Sequence, residues 1–191
     1  MELQHVNLKI FADDPSAVDA TAYIGLFHNW IRENSLDELL IDVADYRHVP
    51  HGPSVILIGL EADYCIDNTA GRYGLRYNRK SACDGTNQDR FRQALNAAAR
   101  ACRMIENQVD TKPAPTFSGQ SLELLINDRA LAPNTPETHA ACRPEVESFL
   151  DSLYGSGQYE LEAHTEPRSR FGYTIRGAGP LDLDALIAAD S

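Results

Sequence analysis

The hydrophobic periodicity of this 191-residue chain switches between the two-residue repeat of a β-strand and the 3.6-residue repeat of a helix. Apolar and polar side chains alternate along residues 3–11, which is typical of a half-buried strand. Residues 16–33 instead place Tyr23, Phe27 and Trp30 at helical spacing on one apolar stripe. A chain with both kinds of amphipathic segment buries them by packing helices against a sheet.

Further segments follow one period or the other, and turn-forming residues separate them. The patterns predict strands at residues 3–11, 39–43, 55–58, 72–79, 122–126, 159–163 and 172–175, and helices at 16–33, 87–107 and 183–189. A further helix is predicted after the loop at 132–136, with Pro144 interrupting or restarting it and Gly155 ending it. We therefore predict an α+β fold. It has a mixed or antiparallel sheet of six to seven strands, with helices packed mainly on one face.

The order of predicted elements in the first part of the chain recurs after a loop rich in proline. We predict a first βαββ(β)α unit at residues 1–109, a linker at 110–119, and a second βαββα unit at 120–191, packed together as one globule. A shift of 118 residues places Pro15 on Pro133, but few other side chains match. Internal duplication and chance recurrence of a common motif both fit this pattern.

The composition restricts the partners that the chain can have. A formal net charge of −11 disfavours nucleic acid and anionic membrane surfaces. The sequence contains no stretch near the roughly 20 apolar residues that span a bilayer, and its acidic, alternating start is unlike a secretory signal. The four cysteines form no CxxC pair, which favours reduced thiols. We expect a soluble cytoplasmic protein. Its sequence is compatible with a protein partner and with a homo-oligomer.

One segment reverses the acidic character of the chain. Arg72, Arg76, Arg79 and Lys80 fall within nine residues on a predicted strand, and the chain then leads into a helix that starts near Asn87. Guanidinium groups and the free amides of a helix N-terminus both bind anions. We predict an anion-binding site formed by Arg72, Arg76, Arg79 and Asn87. The alternative is an edge strand whose charges prevent aggregation.

A second segment concentrates potential metal ligands. Asp45, His48 and His51 lie three residues apart within residues 42–51, and Glu61 follows the next predicted strand. Imidazole nitrogens and carboxylate oxygens suit zinc, iron or manganese. These four residues form a predicted metal site, and a divalent metal is the one cofactor that the sequence suggests. The alternative is a hairpin loop with two solvated histidines.

The predicted strand–helix–strand–strand–strand unit that opens with HVNLKI, which contains His5, resembles the vicinal-oxygen-chelate enzymes in its order of strands and this one histidine. The resemblance covers Leu3 to Tyr77 and implies that His5 is a metal ligand inside a cupped sheet. In that family a carboxylate or histidine late in each unit completes the site. The predicted strand at 72–79 offers neither, so we do not assign the chain to the family.

Three functions fit these patterns. The first is a protein that binds a small anionic ligand, which is the function we expect. The second is a metal-dependent enzyme that uses the Asp/His loop at 42–51, and the third is a structural or assembly protein that binds another protein. The sequence contains neither a nucleophile elbow nor a nucleotide-binding fingerprint, so it does not indicate which reaction the protein could catalyse.

Overall fold

A computed structural model describes residues 1–166 and 168–189 of the chain. Its strands form one eight-stranded sheet in the order β2-β3-β4-β5-β1-β6-β8-β7, and all neighbouring pairs are antiparallel. The strands are β1 (Val6–Phe11), β2 (Leu40–Asp45), β3 (Pro53–Gly59), β4 (Ala62–Asp67), β5 (Gly74–Arg79), β6 (Ser121–Ile126), β7 (Tyr159–Ala163) and β8 (Gly172–Gly177).

The helices of the described residues are α1 (Ala22–Glu33), α2 (Asn87–Gln108), α3 (Pro136–Tyr154) and α4 (Leu183–Ala188). A capping box starts α2, because the side chains of Thr86 and Asp89 each accept a hydrogen bond from the other's backbone N–H. None of these helices is long and apolar enough to cross a membrane.

The two faces of the sheet differ in chemistry. One hydrophobic cluster contains residues of all four helices together with alternate residues of the strands, among them Leu8, Leu75 and Leu122. The opposite face carries the intervening residues, and most of these are polar. At its centre Lys9 is paired across the strands with Arg76 on one side and Glu123 on the other. We call this the polar face.

The α+β class with an antiparallel sheet is confirmed, but the predicted count of six to seven strands is too low. The additional strand is β4, which the sequence patterns miss because Asp63 and Asp67 interrupt its apolar character. Both aspartates lie on the polar face, where Lys80 and Lys9 respectively pair with them at 2.7 Å. Ion pairs on that face therefore allow a strand that the hydrophobic pattern does not indicate.

The first helix begins at Ala22 rather than at residue 16. Residues Pro15–Ala17 form a separate 3-10 turn, in which the Asp14 side chain accepts a hydrogen bond from the backbone N–H of Ser16. Val18 then adopts an extended conformation, so the turn does not continue into α1.

The two predicted units contribute strands to the same sheet. Strand β1, from residues 1–109, pairs with β6, from residues 120–191, over five residue pairs that include Leu8 with Leu124. Residues 167, 190 and 191 of the second predicted unit lie outside the described part of the chain.

Candidate functional site

A network of buried ion pairs occupies the centre of the polar face. The Asp67 carboxylate lies 2.7 Å from Lys9 Nζ and 3.1 Å from Arg76 Nη2. The same Arg76 nitrogen lies 2.6 Å from Glu123 Oε2. The Lys9 side chain is only 1% exposed, and such a charge is tolerated in the interior only when it is paired. Local strand pairing thus holds Arg76 between two carboxylates.

Burial and ion pairing have opposing effects on the pKa values of Asp67 and Lys9. Burial raises the pKa of Asp67, but the positive charges of Arg76 and Lys9 outweigh it and bring the pKa below its ordinary value. Burial lowers the pKa of Lys9, and the attraction of Asp67 opposes that change. The ionised form of Asp67 is therefore the stable one in the folded protein.

The network continues toward the second half of the sheet through Glu123. His164 Nε2 lies 3.9 Å from Glu123 Oε1 and 2.9 Å from Thr174 Oγ1. Burial lowers the pKa of His164, against the attraction of Glu123. At neutral pH this histidine is thus favoured in its neutral form.

A cavity of about 820 Å³ opens above part of this face. Five basic and three acidic side chains of the described residues line it: Arg76, Arg79, Lys80, Arg129 and Arg170, with Asp63, Asp67 and Asp128. Each acid already has a partner. Lys80 pairs with Asp63, and Asp128 accepts hydrogen bonds from the backbone N–H groups of Ala130 and Leu131. The cavity therefore has a basic lining in an acidic protein.

Arg170 differs from the other basic side chains of the cavity. Its partly buried side chain makes no hydrogen bond or ion pair with any residue in the described ranges. Burial, and then the neighbouring charge of Arg76, lower the pKa of its guanidinium below the ordinary value. The charges of Glu123 and Asp67 raise this pKa and only partly offset the lowering, so among the described residues Arg170 lies near carboxylates without pairing with either.

Two further polar groups in the cavity wall lack partners within the described residues. Arg76 Nε is buried and donates no hydrogen bond, although the Nη2 atom of the same side chain is paired. Asn7 is 2% exposed, and its Oδ1 accepts no hydrogen bond. Such groups cost free energy when they are buried without a partner. An anion in the cavity offers an acceptor for Arg76 Nε and a counter-ion for Arg170.

The structure brings only some of the predicted anion-binding residues together. Arg76 and Arg79 line the cavity, and Arg79 pairs with Glu61 at 2.9 Å. Arg72 lies elsewhere, with its guanidinium 3.6 Å from the ring centroid of Phe11 and a hydrogen bond to Ser121 Oγ of 3.0 Å.

Asn87 does not line the cavity with these arginines. Its Oδ1 accepts a hydrogen bond from the backbone N–H of Leu3 at 2.8 Å, and its Nδ2 donates to Glu145 at 2.7 Å. The adjoining helix N-terminus is occupied by its own capping box, since Thr86 N–H donates to Asp89 Oδ2 at 2.7 Å. Asn87 thus anchors the start of the chain to α2.

Three of the four predicted metal ligands have other partners. Asp45 forms two hydrogen bonds with the guanidinium of Arg47, at 2.9 and 2.8 Å, which lower the pKa of Asp45 to about 2. His48 stacks on Tyr46, His51 is exposed, and Glu61 pairs with Arg79. Residues 1–166 and 168–189 contain no group of three or more His, Cys, Asp or Glu side chains arranged to hold a metal ion. His5 lies 4.0 Å from Asp128 at the cavity wall.

Sequence reasoning misses Arg170 and Asn7. The arginine lies between two predicted strands, where no periodic pattern marks it. In Leu8-Lys9-Ile10 and Leu122-Glu123-Leu124 the charged residue lies between two apolar ones, so the pattern predicts that it points away from the core but does not predict that it is buried.

Comparison with protein-family models finds no match for this chain, and neither does comparison with curated proteins.

Proposed function

We propose that this protein binds a small anionic ligand in the cavity on the polar face of the sheet. The observation that carries the proposal is Arg170, a partly buried guanidinium with no hydrogen bond or ion pair to the described residues. Burial and the neighbouring charge of Arg76 lower the pKa of Arg170, and the carboxylates of Glu123 and Asp67 only partly offset this. A bound carboxylate or phosphate group compensates both effects through charge-assisted hydrogen bonds.

The buried network beneath the cavity supports the proposal, because it fixes one wall of the site in advance. Asp67 and Glu123 engage Arg76 Nη2 and leave its Nε without an acceptor. A side chain held in this way loses little conformational freedom when a ligand binds. The buried Asn7 Oδ1 accepts no hydrogen bond from the described residues, so it favours an anionic ligand that also carries a hydroxyl donor.

The charge balance supports an anion rather than a cation. Five basic side chains and three acidic ones line the cavity, whereas the whole chain carries a formal net charge of −11. The acidic surface repels anions in general, so a basic lining restricts their binding to one place. The volume of about 820 Å³ accommodates a metabolite-sized molecule.

The first test is thermal unfolding with inorganic phosphate, citrate and chloride at matched ionic strength. A ligand that binds only the folded state raises the melting temperature, by roughly 2–4 °C per kcal/mol for a chain of this size. We expect a higher melting temperature in phosphate or citrate than in chloride. We expect Arg170→Gln to abolish that difference, because the substitution removes the guanidinium that is proposed to bind the anion.

Arg143→Gln is the matched control. Arg143 is an exposed arginine on α3 that pairs with Glu147 at 2.7 Å, away from the cavity. Its variant should keep the full response to phosphate or citrate. The proposal is wrong if all three salts have the same effect at matched ionic strength, or if Arg170→Gln and Arg143→Gln respond alike.

A further inference from the structure

A second and smaller cavity lies on the helix-facing side of the sheet. Its volume is about 210 Å³, and the loop before β2, strands β4 and β5, and helix α2 enclose it. Tyr64 and Tyr77 contribute aromatic walls, while Gln93 and Asn96 project from α2. Among the described residues, only Arg79 lines both this cavity and the larger one. We call it the α2 cavity.

The charges of the α2 cavity leave one carboxylate without a cation. Three acids and two arginines line it. Arg79 pairs with Glu61 at 2.9 Å, and Arg100 pairs with Asp37 at 2.9 Å. Glu38 has no ion pair with any residue of the described ranges, and its Oε2 accepts a hydrogen bond from the backbone N–H of Ala62 at 2.9 Å.

A second and independent observation concerns Asn96. This side chain is 4% exposed, it lines the α2 cavity, and its buried Oδ1 accepts no hydrogen bond from the described residues. An unpartnered buried acceptor is costly, and native proteins retain few of them. The α2 cavity therefore offers a carboxylate without a counter-ion and an amide oxygen without a donor.

We propose that the α2 cavity binds a small organic monocation that carries N–H donors, of the primary ammonium class. The Glu38 carboxylate neutralises its charge, and Asn96 Oδ1 accepts one of its N–H groups. The rings of Tyr64 and Tyr77 suit a cation that carries an apolar segment. A cavity of about 210 Å³ restricts the ligand to a few non-hydrogen atoms.

The titration of Glu38 agrees with this assignment. Burial raises the pKa of Glu38, against the opposing effects of the Tyr64 hydroxyl, the Ala62 N–H and Arg79. Asp37 and Glu61 also face the cavity, but each is paired with an arginine, and burial raises the pKa of Tyr64 and of Tyr77. A bound cation favours the ionised form of Glu38, so its affinity should fall as the pH drops toward the range where Glu38 is protonated.

The test is a titration of ¹⁵N-labelled protein with n-butylammonium chloride, followed by NMR. We expect saturable shifts of the Asn96 side-chain amide and of the backbone amide of Ala97. Sodium chloride at the same concentration should not produce them, nor should 1-butanol, which lacks the charge. Tetramethylammonium, which lacks N–H donors, should bind more weakly.

Two variants locate the binding groups. Glu38→Gln keeps an oxygen for the Ala62 N–H but loses the charge, and we expect roughly tenfold weaker binding or worse. Asn96→Leu should also weaken binding, and it should not lower the melting temperature, because it removes an unsatisfied polar group. Glu147→Gln is the matched control, since it removes an exposed, paired carboxylate on α3 away from the cavity and should leave butylammonium affinity close to that of the parent.

Three results would overturn the proposal. The first is equal shifts with 1-butanol and butylammonium, which would indicate an apolar cavity only. The second is butylammonium shifts that do not saturate and that spread over surface carboxylates. The third is unchanged affinity in Asn96→Leu, a variant whose folding does not depend on the Glu38 hydrogen bond.

Discussion

Asp67 is the residue on which the buried charges of the polar face depend. It is the carboxylate that contacts both Lys9 and Arg76, and all three side chains are less than one-tenth exposed. A buried ion pair contributes little net stability relative to an apolar substitute, but removing one partner leaves an uncompensated charge in the interior. The network therefore acts mainly by fixing the position of Arg76 at the cavity wall.

The first prediction at this scale is the effect of Asp67→Asn. The variant leaves Lys9 without its closest counter-ion, and we expect a loss of about 3–5 kcal/mol in the free energy of unfolding, measured by urea denaturation. Glu147→Gln, which breaks the exposed i,i+4 pair with Arg143, should cost at most about 0.5 kcal/mol. Similar denaturation midpoints for the two variants would contradict a tightly coupled network.

A pH dependence follows from the same carboxylate. The pKa of Asp67 is lower in the folded protein than its ordinary value, so pairing stabilises the fold above the ordinary pKa of about 3.9. That contribution is lost as the pH falls from this value through the lower folded pKa. In urea denaturation across acidic pH, the stability difference between the parent and Asp67→Asn should shrink in this window. A constant difference would show that Asp67 does not titrate as its environment indicates.

At the scale of elements, the packing of α1 against the core depends on Trp30. The indole is 1% exposed, packs against Phe27 with ring centroids 5.3 Å apart, and donates from Nε1 to Gln108 Oε1 at 2.7 Å. We expect Trp30→Ala to cost about 3–5 kcal/mol, because it leaves a large cavity between α1 and the rest of the core. Chemical denaturation measures this loss. Arg32→Ala, on the exposed side of the same helix, is the control, and equal midpoints would mean that α1 does not pack on the core.

The elements that can be predicted from the sequence are those with strong periodicity. The apolar stripe of α2 and the alternation in β1 predict where these elements lie in the chain, because burial of one face determines the pattern. The start of α1 and the strand β4 cannot be predicted in this way. A capped 3-10 turn precedes α1, and the carboxylates of β4 are balanced by lysines from distant parts of the sequence.

At the scale of the whole molecule, the site depends on strand order, which periodicity does not encode. The pairing of β1 with both β5 and β6 brings Lys9 between Arg76 and Glu123. The loop before β8 then brings Arg170 beside Arg76. Of the predicted anion-binding residues, Arg76 lies at the centre of this arrangement. The position of its side chain depends on Glu123, which is far away in the sequence.

The central claim is that Arg76 and Arg170 together hold an anion, and NMR of the arginine side chains tests it most directly. Inorganic phosphate is titrated into ¹⁵N-labelled protein, with chloride at matched ionic strength as the reference and Arg143 as the internal control. We predict saturable shifts of the Nε–H signals of Arg76 and Arg170 with phosphate only, while the Arg143 signal stays in place. Signals of Arg76 and Arg170 that do not move, or that move equally with chloride, would contradict the account.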